Sequence, residues 1–175
     1  MGFVNIRKRV QWQRRTMEIY LLRHGIAEEP GVGGRDSDRA LTAEGREKLR
    51  RVLKRVYAAG VRPGVILASP YKRAMETAQM AAETLEYRGE IVKTPALIPD
   101  ASPEDAWNEI SSRRNEDAIL LASHEPLMSS LAAFLLSAPS LQVDMKKGAV
   151  MRLDCGHFGP APHATLKWML TAALA

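Results

Sequence analysis

Three short, mostly apolar runs each stop abruptly at a polar pair. Glu18–Leu22 runs into Arg23-His24, Val65–Ala68 into Ser69-Pro70, and Ala118–Ala122 into Ser123-His124. Brief apolar runs bounded in this way read as buried strands. The stretches between them carry helical patterns instead. Thr42 is a good N-cap, and Leu49, Val52, Leu53 and Val56 then fall on one helical face before Gly60 closes it. The spacing predicts a helix over 43–59. Ser69, with Pro70 at the first helical position, predicts a second helix to about residue 85. Ser102-Pro103-Glu104-Asp105 begins a third, and Pro126 a fourth that reaches about residue 136. Ile91–Lys93, Ala149–Leu153 and Thr165–Leu170 complete the strands. Strands alternating with helices in this way predict an α/β fold, a three-layer sandwich whose mostly parallel central sheet is flanked by helices.

The chain has 175 residues, which suits one domain, taken as 17–175. Its net charge of +5 at first suggests a nucleic-acid partner, until the charges are located. Residues 1–16 hold Arg7, Lys8, Arg9, Arg14 and Arg15 and no acid, so 20 bases face 20 acids in the remainder. The expected fold is therefore neutral, and neither a nucleic-acid nor a membrane partner is expected. The leader lacks the apolar core and cleavage site of a secretory signal. It reads as a disordered tail or as an over-extended start ahead of Met17, and only weakly as a transit peptide. The single cysteine, Cys155, allows no disulfide within the chain and suits a reducing, cytoplasmic setting. No run of about 18 apolar residues is present to span a membrane.

In open α/β sheets, sites lie beyond the carboxyl ends of the strands. Arg23, His24, Ser69, Arg73, Ser123 and His124 all fall there if the three strands are parallel neighbours. Two arginines and two histidines make a coherent pocket for a phosphoryl group. Guanidinium offers a planar, permanently charged fork to the outer oxygens. A neutral imidazole attacks phosphorus when an acceptor fixes its other nitrogen, and a second histidine, if protonated, donates to the same oxygens.

The segments Leu22-Arg23-His24-Gly25, Ser69-Pro70-Tyr71-Lys72-Arg73 and Ser123-His124-Glu125-Pro126, in this order, resemble the histidine phosphatase superfamily, also called phosphoglycerate-mutase-like. The resemblance spans nearly all of residues 17–155. It implies that His24 is the catalytic nucleophile, transiently phosphorylated, and that Arg23, Arg73 and His124 bind the phosphate. The compact length, the start Met17-Glu18-Ile19-Tyr20-Leu21-Leu22 and the stretch Arg39-Ala40-Leu41-Thr42-Ala43-Glu44-Gly45 are most similar to the SixA-type phosphohistidine phosphatases. That likeness implies a hydrolase acting on phosphohistidine in a phosphotransfer domain of a partner protein, with no cofactor and no metal. The alternatives are a phosphatase of a small phosphorylated sugar or nucleotide derivative and an inactive phosphate-binding module.

The possible general acids are Asp100, in the loop after the third strand, and Glu104, at the start of the helix that follows, although neither matches the Leu-x-Glu pattern of many relatives. An imidazole leaving group, with a pKa near about 6.5, needs less protonation than an alkoxide, so weak acid provision favours a P–N substrate. Other motifs lead nowhere. Gly31-Val32-Gly33-Gly34 lacks the Gly-Lys-Ser/Thr ending of a P-loop. Cys155 fails the Cys-x5-Arg pattern because position 161 is Ala161, and it reads as a packing residue. His157 and His163 have poor spacing for a metal. Ser69 and Thr77 read as helix-capping and helix-facing residues, and Met75, Met80 and Met128 as core filler. Trp107 and Trp168 acquire no role.

Overall fold

β1 (Met17–Arg23) alternates its side chains between two separate cores. Met17, Ile19 and Leu21 enter one, while Tyr20 and Leu22 enter the other. Successive strand residues point to opposite faces, so a strand apolar on both sides must be covered on both. Each large side chain buried here stabilises the fold by about 1.5–3 kcal/mol. The computed structural model describes residues 16–175. The basic leader expected over residues 1–16 lies outside the described residues, apart from Thr16.

The remaining elements follow in chain order. They are α1 (Ala43–Ala58), β2 (Val65–Ala68), α2 (Lys72–Thr84), β3 (Val92–Lys93), α3 (Pro103–Ser111), β4 (Ala118–Ser123), α4 (Leu127–Leu135), β5 (Val150–Cys155) and β6 (Ala164–Leu170). Two 3-10 turns, Asp36–Asp38 and Pro95–Leu97, were not expected from the sequence. The sheet order is β3-β2-β4-β1-β5-β6. β1 to β4 run parallel, whereas β5 runs antiparallel to β1 and β6 antiparallel to β5. α1 and α2 cover one face, with Leu49, Val52, Leu53 and Val56 inward as the spacing predicts. α3 and α4 cover the other, with Trp107, Ile110, Leu127 and Leu131 inward. The result is the expected three-layer arrangement with a mixed sheet.

Local capping accounts for most of the boundaries. Thr42 accepts the Gly45 N–H at 2.9 Å and Ser102 accepts the Asp105 N–H at 3.1 Å. Gly60, at φ +85°, ends α1 in the left-handed region. A side chain at Gly45 would meet the Ile26 carbonyl oxygen at 2.1 Å, so this glycine lets the start of α1 press against the loop leaving β1. One expectation fails. Ser69 does not cap α2; Tyr71 occupies the N-cap position and the helix starts at Lys72. Cys155 is buried beside β1, in register with Met17. Trp107 stacks on Phe158 at 5.8 Å between ring centroids, and Trp168 lies 6.0 Å from Tyr20. Among the described residues, no helix is long and apolar enough to cross a membrane.

Candidate active site

Three neighbouring strands end level with one another. Ala122 pairs with Leu22 on one side and Ala68 on the other, so Arg23, Ser123 and Ser69 form the next row. His24 and His124 come one residue further on. The His24 N–H donates to the Ser123 carbonyl at 2.9 Å, and the Ser69 N–H donates to that of Ala122 at 3.0 Å. Arg73 sits in the first turn of α2 and reaches the same place. His24, Arg73 and His124 are 6%, 5% and 1% exposed, respectively, so all three are enclosed by the fold and are not ordinary surface residues.

The partners of His24 define its tautomer. Nδ1 lies 2.7 Å from the Gly25 carbonyl, and Arg73 Nε lies 3.2 Å from His24 Nε2. A carbonyl can only accept and a guanidinium can only donate. The ring proton is therefore on Nδ1, and Nε2 presents its lone pair. Burial pushes the His24 pKa down to about 4; the Arg73, Arg23 and Lys147 charges act in the same direction, against the Gly25 hydrogen bond. The ring is neutral at neutral pH, as a nucleophile must be.

His124 is also neutral. Burial pushes its pKa down to about 3, helped by His24, Arg73 and Arg23 and opposed by Asp36. The cationic form in which a second histidine would donate is therefore disfavoured in the unliganded site, because burial outweighs the pull of Asp36. His124 Nε2 lies 2.8 Å from Ser69 Oγ, and the two histidine rings are 5.0 Å apart between centroids. Arg23 donates from Nη1 to the Met145 carbonyl at 2.7 Å. Among the described residues, three buried side-chain polar atoms have no hydrogen-bond partner: Arg23 Nε, His124 Nδ1 and Glu125 Oε1. Buried polar atoms without partners are costly. Two of these three belong to residues expected to bind an anion.

Three contributors escaped the sequence reading. Thr77 was expected only to face its helix. Its hydroxyl accepts the Gly25 N–H at 3.2 Å and donates to the Arg73 carbonyl at 2.7 Å, tying the two functional segments together. Ser69 gives its hydroxyl to His124 instead of capping a helix. Asp36, in the 3-10 turn, accepts from Arg73 Nη1 through its carbonyl at 2.7 Å and from Nη2 through its carboxylate at 2.9 Å. Hydrogen bonds from Arg39 and then Arg73 hold the Asp36 carboxyl below its ordinary range. The Thr77 signal was its position four residues after Arg73 on the same helix face. Asp36 left no comparable signal in a Gly-rich loop.

Asp100 and Glu104 line clefts of their own. Asp100 lines a cleft of about 610 Å³ with Thr94, Asp105 and Glu109, and Glu104 lines another of about 440 Å³ with Trp107 and Phe158. Neither cleft is lined by Arg23, His24, Arg73 or His124. Among the described residues, no group of three or more His, Cys, Asp or Glu side chains is placed to hold a metal ion.

A family model described as histidine phosphatase superfamily (branch 1) matches residues 19–98, which contain Arg23, His24 and Arg73. The phosphohistidine phosphatase SixA of Escherichia coli is 27% identical over 121 residues, covering 68% of this chain and 74% of that protein. A solved structure of the protein histidine phosphatase SixA with tungstate superposes with a TM-score of 0.79 at 23% identity, covering 90% of this chain and 98% of that one. A mycobacterial glucosyl-3-phosphoglycerate phosphatase shares the fold more distantly, with a TM-score of 0.65 at 18% identity over 87% of this chain and 98% of that one. Residues 19–98 thus resemble the histidine phosphatase superfamily, Arg23, His24, Arg73 and His124 converge beyond the strand ends, and the fold of the chain is SixA-like.

Proposed function

We propose that the protein hydrolyses phosphohistidine on a partner protein through a phosphorylated His24. The observation that carries this reading is the Nε2 lone pair of His24, fixed by the Gly25 carbonyl and faced by the Arg73 guanidinium. In the first step Nε2 bonds to phosphorus while the substrate's P–N bond breaks and the departing imidazole takes a proton from water. In the second, water attacks the phosphoenzyme, inorganic phosphate leaves, and His24 regains its lone pair. A phosphoryl oxygen displaces Nε2 as the acceptor for the Arg73 Nε–H. Arg23 Nε and His124, the latter through its single ring proton, complete the cradle. Such preorganised donors act on the charge of the transferring group.

The leaving group supports the choice of substrate. The carboxylate hydrogen-bonded to Arg73 is Asp36, and its lowered pKa keeps it ionised. An ionised carboxylate cannot protonate an alkoxide, but imidazole leaves without strong acid help. The likeness to SixA points the same way. The second reading, a phosphatase of a small sugar or nucleotide phosphoester with Asp100 or Glu104 as acid, draws on the fold shared with the mycobacterial sugar-phosphate enzyme.

The test is a side-by-side measurement of kcat/KM on a phosphohistidine protein and on a panel of phosphoesters. We expect the P–N substrate to be preferred, and a preference for esters of more than about tenfold, a difference of about 1.4 kcal/mol, sinks the reading. Rapid quenching with labelled substrate should trap an acid-labile, base-stable phosphate on His24. Label on any other residue rejects the mechanism.

A further inference from the structure

A third cleft, of about 450 Å³, is lined by Arg23, the residue next to His24. Lys48, Lys146 and Lys147 join Arg23 in lining it, Ile26 and Ala172 add apolar surface, and no carboxylate takes part. The concentration of charge is local. Beyond residue 16 the chain balances its bases and acids, so four cations around one cleft do not follow from composition.

The fold holds two of these lysines close to the chemistry. Lys146 and Lys147 lie in a turn ending at Gly148, whose φ of +77° suits a glycine. The Gly148 N–H is shared between the carbonyls of Arg23 and His24 at 3.1 and 3.0 Å. The Arg23 N–H donates to the Ala149 carbonyl at 3.1 Å, and Arg23 Nη1 binds the Met145 carbonyl at 2.7 Å. The lysine turn is therefore stitched to the main chain that carries the nucleophile, and the Lys147 charge is among those that act on His24.

Structural pairing does not account for the cluster. Lys147 has no ion-pair partner among the described residues. Lys48 pairs with Glu44 and Lys146 with Asp144, but both pairs are exposed, with the Lys48 and Lys146 side chains 41% and 67% accessible. Exposed pairs of this kind are weak and exchange readily. Their heads lie on two separate elements and reach outward, which suits a partner's surface more than an enclosed small molecule.

We infer that the cleft lined by Arg23, Lys48, Lys146 and Lys147 is a recognition subsite for acidic side chains flanking the phosphohistidine of the substrate protein. The inference rests on the proposed function and names the surface chemistry of its substrate. Complementary charge at the rim of a site speeds encounter and selects partners, and salt weakens it.

The experiment uses two phosphohistidine peptides of equal length, one with Glu and one with Gln at the flanking positions. The wild-type protein should favour the acidic peptide by about tenfold in kcat/KM, chiefly through KM, and the preference should shrink as salt rises. In Lys146→Gln/Lys147→Gln the ratio should fall below about twofold, and in Lys146→Glu/Lys147→Glu it should invert. Wild-type turnover of both peptides with no acidic preference, or a ratio unchanged in the variants, overturns the subsite alone. Inhibition by inorganic diphosphate that weakens in the variants, without any peptide preference, reassigns the cleft to a second phosphate and also overturns it. Failure of the wild-type protein to turn over either peptide, with phosphoesters consumed, overturns the proposed function and the subsite with it.

Discussion

Two kinds of support meet at Arg73. On one side stand His24 and His124, each just past the end of a buried parallel strand, aligned by the pairing of β1 with β4. On the other stands Asp36, on a 3-10 turn in the loop between β1 and α1, with its carboxylate half in solvent at 52% side-chain exposure. The strand ends cannot shift without breaking the sheet ladder and the packing on both its faces. The loop rests on ties that include the Ala27–Leu41 bridge, the Leu41 N–H bond to the Glu76 carboxylate, the Arg39 bonds to Glu28 and Asp36, and Arg73 itself. Under the proposed mechanism, the contrast separates groups that perform the chemistry from groups that tune them. Substitutions on the strand side should be severe, and those on the loop side mild.

The largest expected effect is loss of turnover in His24→Ala, measured under steady-state conditions and by phosphoenzyme trapping. No other neutral imidazole in the described site has its tautomer fixed by a backbone carbonyl, so no residue replaces it. Residual turnover above about one part in a thousand would contradict nucleophilic catalysis by this residue. Next comes Arg73→Ala, expected to lower kcat/KM by about 100- to 1,000-fold, as removal of preorganised charge donors does elsewhere. Arg73→Lys should recover little, since one ammonium cannot bond His24 and both Asp36 acceptors together. A lysine variant near wild-type activity would show that charge alone suffices and that the fork is dispensable.

The contrast between strand and loop also marks what the sequence could disclose. Arg23, His24 and His124 were legible because a short apolar run leads directly into each segment, and the strand period then dictates where the chain emerges. Arg73 was legible as the residue one turn into a helix that follows a strand. The reversed direction of β5 was not legible, since an apolar run reads the same for either direction. Ser69 misled because Ser-Pro is a sound capping signal, but a buried histidine needed the hydroxyl and Tyr71 took the cap position. The neutral state of His124 follows from burial, a property of the assembled layers. Asp36 was hidden because a loop without hydrophobic period is positioned by its distant partners, here Arg73, 37 residues away.

A smaller effect tests the buried state of the two histidines. Both are held neutral when folded, near 4 for His24 and near 3 for His124, but titrate near the ordinary 6.5 when unfolded. Between pH 6.5 and those folded values the unfolded chain binds more protons than the folded one. Stability must therefore rise with pH across that window and fall as pH drops through it, without further loss from these groups below it. The upper limit is about 3 kcal/mol for His24, at about 1.36 kcal/mol per pH unit. Urea unfolding from pH 7 to 4.5 should reveal the decline, and His124→Gln should flatten it. An equal slope in the variant would mean that His124 is charged in the folded protein. Saturating inorganic phosphate should also flatten the slope, because a bound anion favours the histidine cations.

The mildest change should come from Asp36. Its carbonyl and carboxylate take the end-on edge of the Arg73 guanidinium, Nη1 and Nη2, leaving Nε turned to His24. Asp36→Ala keeps the main-chain acceptor and removes the charged one, so Arg73 gains rotational freedom but stays in the pocket. The pair is open to solvent on the Asp36 side, and ion pairs screened in this way contribute about 0.2–1 kcal/mol, which corresponds to at most about a fivefold loss in kcat/KM. Asp36→Asn preserves an oxygen acceptor and should restore most of that loss. The opposite outcome is informative, because a carboxylate beside an anionic substrate also repels it. If Asp36→Ala binds inorganic phosphate or tungstate more tightly and turns over faster, then Asp36 serves as a competing anion that the substrate must displace. In that case the loop would restrain the strand-borne site, and the two sides would oppose each other instead of cooperating.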